Sequence, residues 1–175
     1  GIKDGFKEMS HDHKPMNIEE RKRIEDAGGV VTSGRVDGNL AVSRAFGDFE
    51  FKDTRLAADK TKVTAKPEII VHERTAEDDI LILACDGVWD VFSSAECIQY
   101  VRELYESGEG DIQKIAEEVI EKALIKGSKD NISCVALKLP GAVIGDAANG
   151  GVSAIWSKRE AEEKANEQKM HGTSR

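Results

Sequence analysis

Asp86 closes the apolar run Ile80, Leu81, Ile82, Leu83, Ala84, Cys85, and a second aspartate, Asp130, stands just before another apolar-alternating run, residues 132–139. Both runs read as buried strands, so two strand ends each offer a carboxylate. A rigid pair of this kind suits a hard divalent cation, because Mg²⁺ and Mn²⁺ take oxygen ligands and need them held at a fixed separation. On residues alone the plainer readings stay open: Asp-Gly after a strand also makes a turn, and Asp-Asn also makes a loop.

The elements that must carry these residues follow from pattern. Asn17 with Glu20 three residues on has the form of a capping box, and the helix it starts runs through Arg21, Arg23 and Ile24 to a stop at Gly28. Val30 and Val31 lead to Arg35 and Val36, Asp37-Gly38 reads as a two-residue type I′ turn, and Leu40 to Ser43 as the returning strand. Phe49 to Lys66 is dense in charge and poor in period, which predicts a mobile surface loop before a strand at Glu68 to His72. Pro67 confines that strand to an edge or a late start.

Beyond Asp86, Phe92, Ser93, Glu96 and Cys97 occupy hydrophobic-staple and capping-box positions for a helix carrying Ile98, Val101 and Tyr105. Ile112, Ile115, Ala116, Val119, Ile120, Ala123 and Leu124 repeat at i, i+3, i+4, i+7 and predict a second helix ended by Gly127. A run of two helices between the last two strands, with antiparallel pairing elsewhere, gives an α+β class. Past Pro140 the composition turns to Gly, Ala and Ser. Ser157 to Met170 then predicts a solvated helix, with Glu160 and Lys164 placed for an i, i+4 pair and Ile155 and Trp156 able to dock its start.

Composition limits the partners. The chain has 175 residues, 39% hydrophobic and 33% charged, enough for about one domain with a core. Its formal net charge of −8 is the wrong sign for a nucleic-acid surface or an anionic membrane. No stretch approaches the roughly 18 consecutive apolar residues of a membrane span. Cys85, Cys97 and Cys134 lie in apolar segments without metal-site spacing and read as reduced residues of an intracellular, cytoplasmic or nuclear protein. The first residue is Gly and Gly1 to Met9 carries no start signal, which suits a chain cut from something longer.

Four blocks, SHDHKPMNIEERKRIEDAGGVV, RVDGNLAVSRAFGD, LILACDGVWDV and KGSKDNIS, together span residues 10 to 133. In order and spacing they resemble the PPM family, the metal-dependent type 2C protein serine/threonine phosphatases. The resemblance implies part of a four-layer α-β-β-α sandwich with antiparallel sheets whose N-terminal half is missing. The family's Asp-Gly-His-Gly-Gly block, its upstream arginine and its Gly-Asp-Ser-Arg strand end have no counterpart here. It also implies hydrolysis of phosphoserine and phosphothreonine in phosphoprotein substrates by a water that two Mg²⁺ or Mn²⁺ ions activate. The family's metal-binding aspartates map onto Asp86 and Asp130, and Asp90 matches a position that in some members helps bind a further ion, although an aspartate near a helix start has a purely electrostatic use as well.

Within the resemblance, residues 1–140 are the C-terminal portion of the phosphatase domain, and 141–175 are a linker and charged tail, helical near 155–169. His13 falls in a surface loop, and Arg44 and Asp48 fix the base of a neighbouring flap. The chain alone is expected to be inactive and, with an inner sheet face uncovered, to associate. The alternative is a non-catalytic, protein-binding module that keeps the motifs as scaffolding.

Overall fold

Three of the helices end in the same way, on a glycine that folds the chain back over the last turn. The structure, a computed structural model, describes residues 5–172, with the backbone alone at 147, 163 and 167–172. Helix α1 (Ile18–Asp26), α3 (Ser94–Glu106) and α4 (Ile112–Ile125) are followed by Gly28, Gly108 and Gly127, all at positive φ. Behind each, two backbone N–H groups return to the last turn, as in Gly127 to Leu124 O and Ser128 to Ala123 O, which satisfies carbonyls the helix leaves open. The chain divides into two compact units, Glu8–His72 and Glu73–Arg175 together with Gly1–Lys7.

The unit Glu8–His72 packs Ile24, Val36, Phe51 and Val63 into a small core. Its hairpin differs from the expected one. Strands β1 (Val31–Thr32) and β2 (Arg35–Val36) pair antiparallel with Val31 opposite Val36, so the two-residue turn is Ser33-Gly34, both at positive φ. Asp37 and Gly38 also have positive φ, but they belong to a three-residue loop that returns only Leu40 to Val36, and residues 41–43 add no strand. The reason is Val36, which this register buries completely.

Two further expectations fail in this unit. The segment from Phe49 is not a detached loop, because a short 3₁₀ turn (Phe49–Phe51) and Val63 drop Phe51 and Val63 into the core. Residues 68–72 form no strand: they meet no ladder partner among the described residues, and Ile69 and Val71 stay exposed.

In the other unit, β3 (Ile80–Ala84) and β4 (Cys134–Lys138) form an antiparallel pair in continuous register from Ile80 opposite Lys138 to Ala84 opposite Cys134. Between them run a single turn, α2 (Asp86–Trp89), then α3 and α4. Ser93 caps α3 in a complete capping box with Glu96, and Phe92 and Cys97 are buried on either side of it. One face of the pair, including Ile80, Ile82 and Ala84, joins the core built by Val101, Leu104, Ile115, Val119 and Ala123. The other face carries Leu81, Leu83, Val135 and Leu137, of which Leu83 and Val135 are 51% and 58% exposed. Neither strand is fully buried, contrary to the sequence pattern, which marks both faces as apolar.

The C-terminal stretch is tied down rather than loose at its start. Gly145 donates its N–H to Tyr105 O and passes so close that a Cβ would collide with the Glu106 carbonyl. Helix α5 (Gly151–Gly172) then begins with Val152 fully buried in the core. Residues 1–4 and 173–175 lie outside the described residues.

Candidate metal centre

Asp86 is the first residue of α2, not the last of a strand, with Cys85 in the N-cap position. The departure is local: Val88 and Trp89 both return N–H bonds to Cys85 O, so the chain turns helical directly after Cys85. Its carboxylate therefore stands at the positive end of a short helical turn. Asp90 follows one turn later, its N–H donating to Asp86 O at 2.8 Å. Both aspartates are exposed.

Asp130 lies in the segment that leads into β4, and the sheet register carries that segment alongside Asp86. Past the last ladder pair, Cys85 N–H donates to Ser133 O at 3.2 Å and Ser133 N–H to Cys85 Sγ at 3.2 Å. The Cys85 thiol in turn donates to Asn131 O at 3.1 Å. Ser128 Oγ donates to Gly87 O at 2.6 Å. Gly87 is buried against this crossing, and a Cβ there would collide with the Asn131 carbonyl. Residues 85–87 and 128–133 are thus laced together by one backbone bond and by the Cys85 and Ser128 side chains, with Asp86 inside the first segment and Asp130 inside the second. Asp130 is exposed, and its Oδ1 accepts from the Asn131 N–H at 2.7 Å, which fixes its orientation.

The donor chemistry suits a hard ion, since Mg²⁺ is held by one or two carboxylates and keeps several waters. The set is small: among the described residues no group of three or more His, Cys, Asp or Glu is placed to hold a metal. Cys85, read from its apolar neighbours as a core thiol, is half-exposed. Hydrogen bonds from Ser133 lower its pKa, the Gly87 backbone adding to them against the opposing Asp86 charge. Cys97 is buried, and burial pushes its thiol up to about 12.

The other residues singled out by motif have structural surroundings. Asn17 sits at the N-cap of α1 without capping it, its side-chain amide donating instead to Asp12 O. Glu20, expected to close the capping box, turns inward, where its carboxylate accepts from Arg23, Arg44 and Ser43. Burial pushes the Glu20 carboxyl up, and the bonds from Arg44, Ser43 and Arg23 together outweigh it, leaving a pKa of about 2. Arg44 is thereby the brace of the Ser43–Asp48 loop. Asp48 begins the 3₁₀ turn at φ 48°. The His13 carbonyl accepts from Ser43 Oγ, and its ring lies 3.7 Å from Glu68. A cavity of about 410 Å³ in this unit is lined by His11, His13, Arg44, Phe46, Lys66 and Glu68 among others, and none of the three aspartates reaches it.

What pattern reading missed is Glu118, on the core-facing side of α4 and completely buried. Its carboxylate accepts from Tyr100 Oη, from Trp156 Nε1 at 2.6 Å, and from both terminal nitrogens of Arg159. A glutamate in an apolar stripe with arginine and tryptophan about forty residues on is the only trace this leaves in the sequence.

Comparison with known proteins agrees with the motif blocks. The family model for protein phosphatase 2C matches residues 1–132. Protein phosphatase ppm-1.A of Caenorhabditis elegans is 43% identical over 135 residues, covering 76% of this chain and 29% of that protein. Protein phosphatase 1A of Mus musculus is 44% identical over 157 residues, 88% of this chain and 39% of its own length. A crystal structure of a phosphatase from Toxoplasma gondii superposes with a TM-score of 0.74 at 35% identity, over 83% of this chain and 46% of that one. The chain spans about a third of the length of these curated relatives.

Proposed function

The chain belongs to the protein phosphatase 2C family, and from that premise we propose that it is part of a metal-dependent protein serine/threonine phosphatase, with Asp86 and Asp130 as ligands for Mg²⁺ or Mn²⁺. Asp90, one turn beyond Asp86, serves a further ion. The observation that supports this reading is the joining of residues 85–87 to 128–133, the two segments that carry the exposed Asp86 and Asp130. Ions bound there would supply a water deprotonated near neutral pH and charge neutralisation at the phosphoryl oxygens of a phosphoserine or phosphothreonine. The chain's own residues hold the frame for that chemistry. Gly87 lets the strands' ends approach, Ser128 pins the crossing, and Asn131 orients Asp130.

Two carboxylates leave most of an ion pair's coordination open, so activity belongs to a longer chain that contributes the remaining ligands. In that chain the exposed face of Leu81, Leu83, Val135 and Leu137 packs on a second sheet, giving the four-layer sandwich, and the phosphatase domain ends near residue 140. Three free cysteines suit an intracellular site. The alternative, a non-catalytic protein-binding module, draws support from the absence of a three-residue ligand group among the described residues.

Titration of Mn²⁺ into the 175-residue chain and into Asp86→Asn and Asp130→Asn separates the two. The phosphatase reading expects weak binding that either substitution abolishes, with phosphopeptide turnover appearing only in the longer chain. Mn²⁺ affinity unchanged in both variants removes the assignment.

A further inference from the structure

Helix α5 is attached through charge more than through oil. Val152, Ile155 and Trp156 give it a small apolar foothold on the core, and Glu109, itself buried, accepts from the Val152 N–H at 3.2 Å. The main fastening is Glu118, whose carboxylate takes four hydrogen bonds, three of them from Trp156 and Arg159 of α5. Arg159 also reaches Tyr100 Oη on α3 at 3.1 Å. Beyond Arg159 the described side chains of the helix are exposed. A carboxylate this deep is tolerable only while its partners stay, so docking of α5 and the placement of α4 are one equilibrium.

Helix α4 is also the element beneath the candidate metal centre. It packs on β4 and on α2, the two elements that border Asp130 and Asp86. Its C-terminal turn runs straight into the crossing: Ser128 N–H returns to Ala123 O, and Ser128 Oγ holds Gly87 O. We propose that α5 is a positioning clamp: by gripping Glu118 it fixes α4, and α4 in turn holds the 127–131 segment, and so Asp130, against Asp86. The inference rests on the reading of Asp86 and Asp130 as ion ligands, and it adds a regulatory input, since anything that lifts α5 loosens the ion site.

The test uses the 175-residue chain with Arg159→Gln, the milder Trp156→Phe, and a control, Leu104→Ala, which opens a cavity in the same core on α3 and keeps the Glu118, Tyr100, Trp156 and Arg159 side chains that make the polar grip. Amide exchange and Mn²⁺ titration are read on each after circular dichroism shows it folded. The clamp expects Arg159→Gln to speed exchange in residues 152–160 and 127–131 and to raise the Mn²⁺ Kd about fivefold, with a smaller change in the same direction for Trp156→Phe. Leu104→Ala lowers Tm and leaves the Mn²⁺ Kd within about twofold. Faster exchange in 152–160 with unchanged exchange in 127–131 overturns the clamp, and so does a Kd loss in Leu104→Ala equal to that in Arg159→Gln. Should Asp130→Asn leave Mn²⁺ binding untouched, the ion reading fails by itself, and exchange at 127–131 still decides the clamp.

Discussion

Each unit hides a glutamate gripped by arginine and treats it alike, Glu20 in one and Glu118 in the other, whereas the three aspartates at the β3–β4 end are treated in the opposite way. Glu20 is buried against two arginines and a serine hydroxyl, and Glu118 against an arginine, a tyrosine and a tryptophan. Every oxygen there is satisfied, and each carboxylate ties together segments more than twenty residues apart. Asp86, Asp90 and Asp130 are exposed, and the hydrogen bond that orients Asp130 comes from its own neighbour. A carboxylate saturated by the protein is a structural bolt, and one left open on a rigid backbone is available to a ligand. Burial and partner count, not residue type, separate the two roles.

The sharpest way to break this contrast is to remove a bolt. Glu20→Ala leaves two partly buried guanidinium groups without their anion and is expected to cost about 3–5 kcal/mol, measured by denaturant unfolding. A loss under about 1 kcal/mol would show that the Glu8–His72 unit does not depend on its buried pair.

Acid sharpens the same point. The Glu20 carboxyl is depressed from 4.5 to about 2, so its contribution is complete above pH 4.5 and is lost as pH falls through 2. The depression corresponds to about 3 kcal/mol, and Glu20→Gln should flatten that part of the stability–pH curve. An unchanged curve in the variant would mean that other groups carry the acid transition.

A smaller effect attends the capping box. Ser93→Ala removes the acceptor for Glu96 N–H and one of the donors to the Glu96 carboxylate, which keeps the Ser93 N–H and Lys126, an expected loss of about 1 kcal/mol in thermal or chemical unfolding. Since Phe92 and Cys97 remain packed, the helix should persist, which far-ultraviolet circular dichroism would verify.

These residues also mark what a sequence can disclose. The Ser93–Glu96 box, the stripe of α4 and the stopping glycines Gly28 and Gly127 were legible because each is fixed within a few residues of chain. Glu20 was not, since its partner Arg44 is 24 residues away and the capping-box pattern gave it a competing local role. The hairpin was misplaced because Ser33-Gly34 and Asp37-Gly38 are both capable turns, and only the burial of Val36 chooses between them. Residues 68–72 have a strand's composition without a ladder to join. At the candidate site, the motif blocks located Asp86 and Asp130 in sequence, but the crossing at Gly87 and the helical start at Asp86 depend on tertiary contact, and Glu118 left no local signature at all.

The smallest expected effect on stability belongs to the open carboxylates, and it accompanies the largest effect on binding. Asp86→Asn and Asp130→Asn should each change unfolding free energy by no more than about 0.5 kcal/mol, as exposed substitutions do. The direct test is a Mn²⁺ titration of the 175-residue chain beside these two variants, followed by calorimetry or by the electron paramagnetic resonance signal of free Mn²⁺. Saturable binding in the parent that disappears in both variants, with all three equally stable, is the result expected. Equal Mn²⁺ binding by parent and variants would show that the two aspartates do not share an ion.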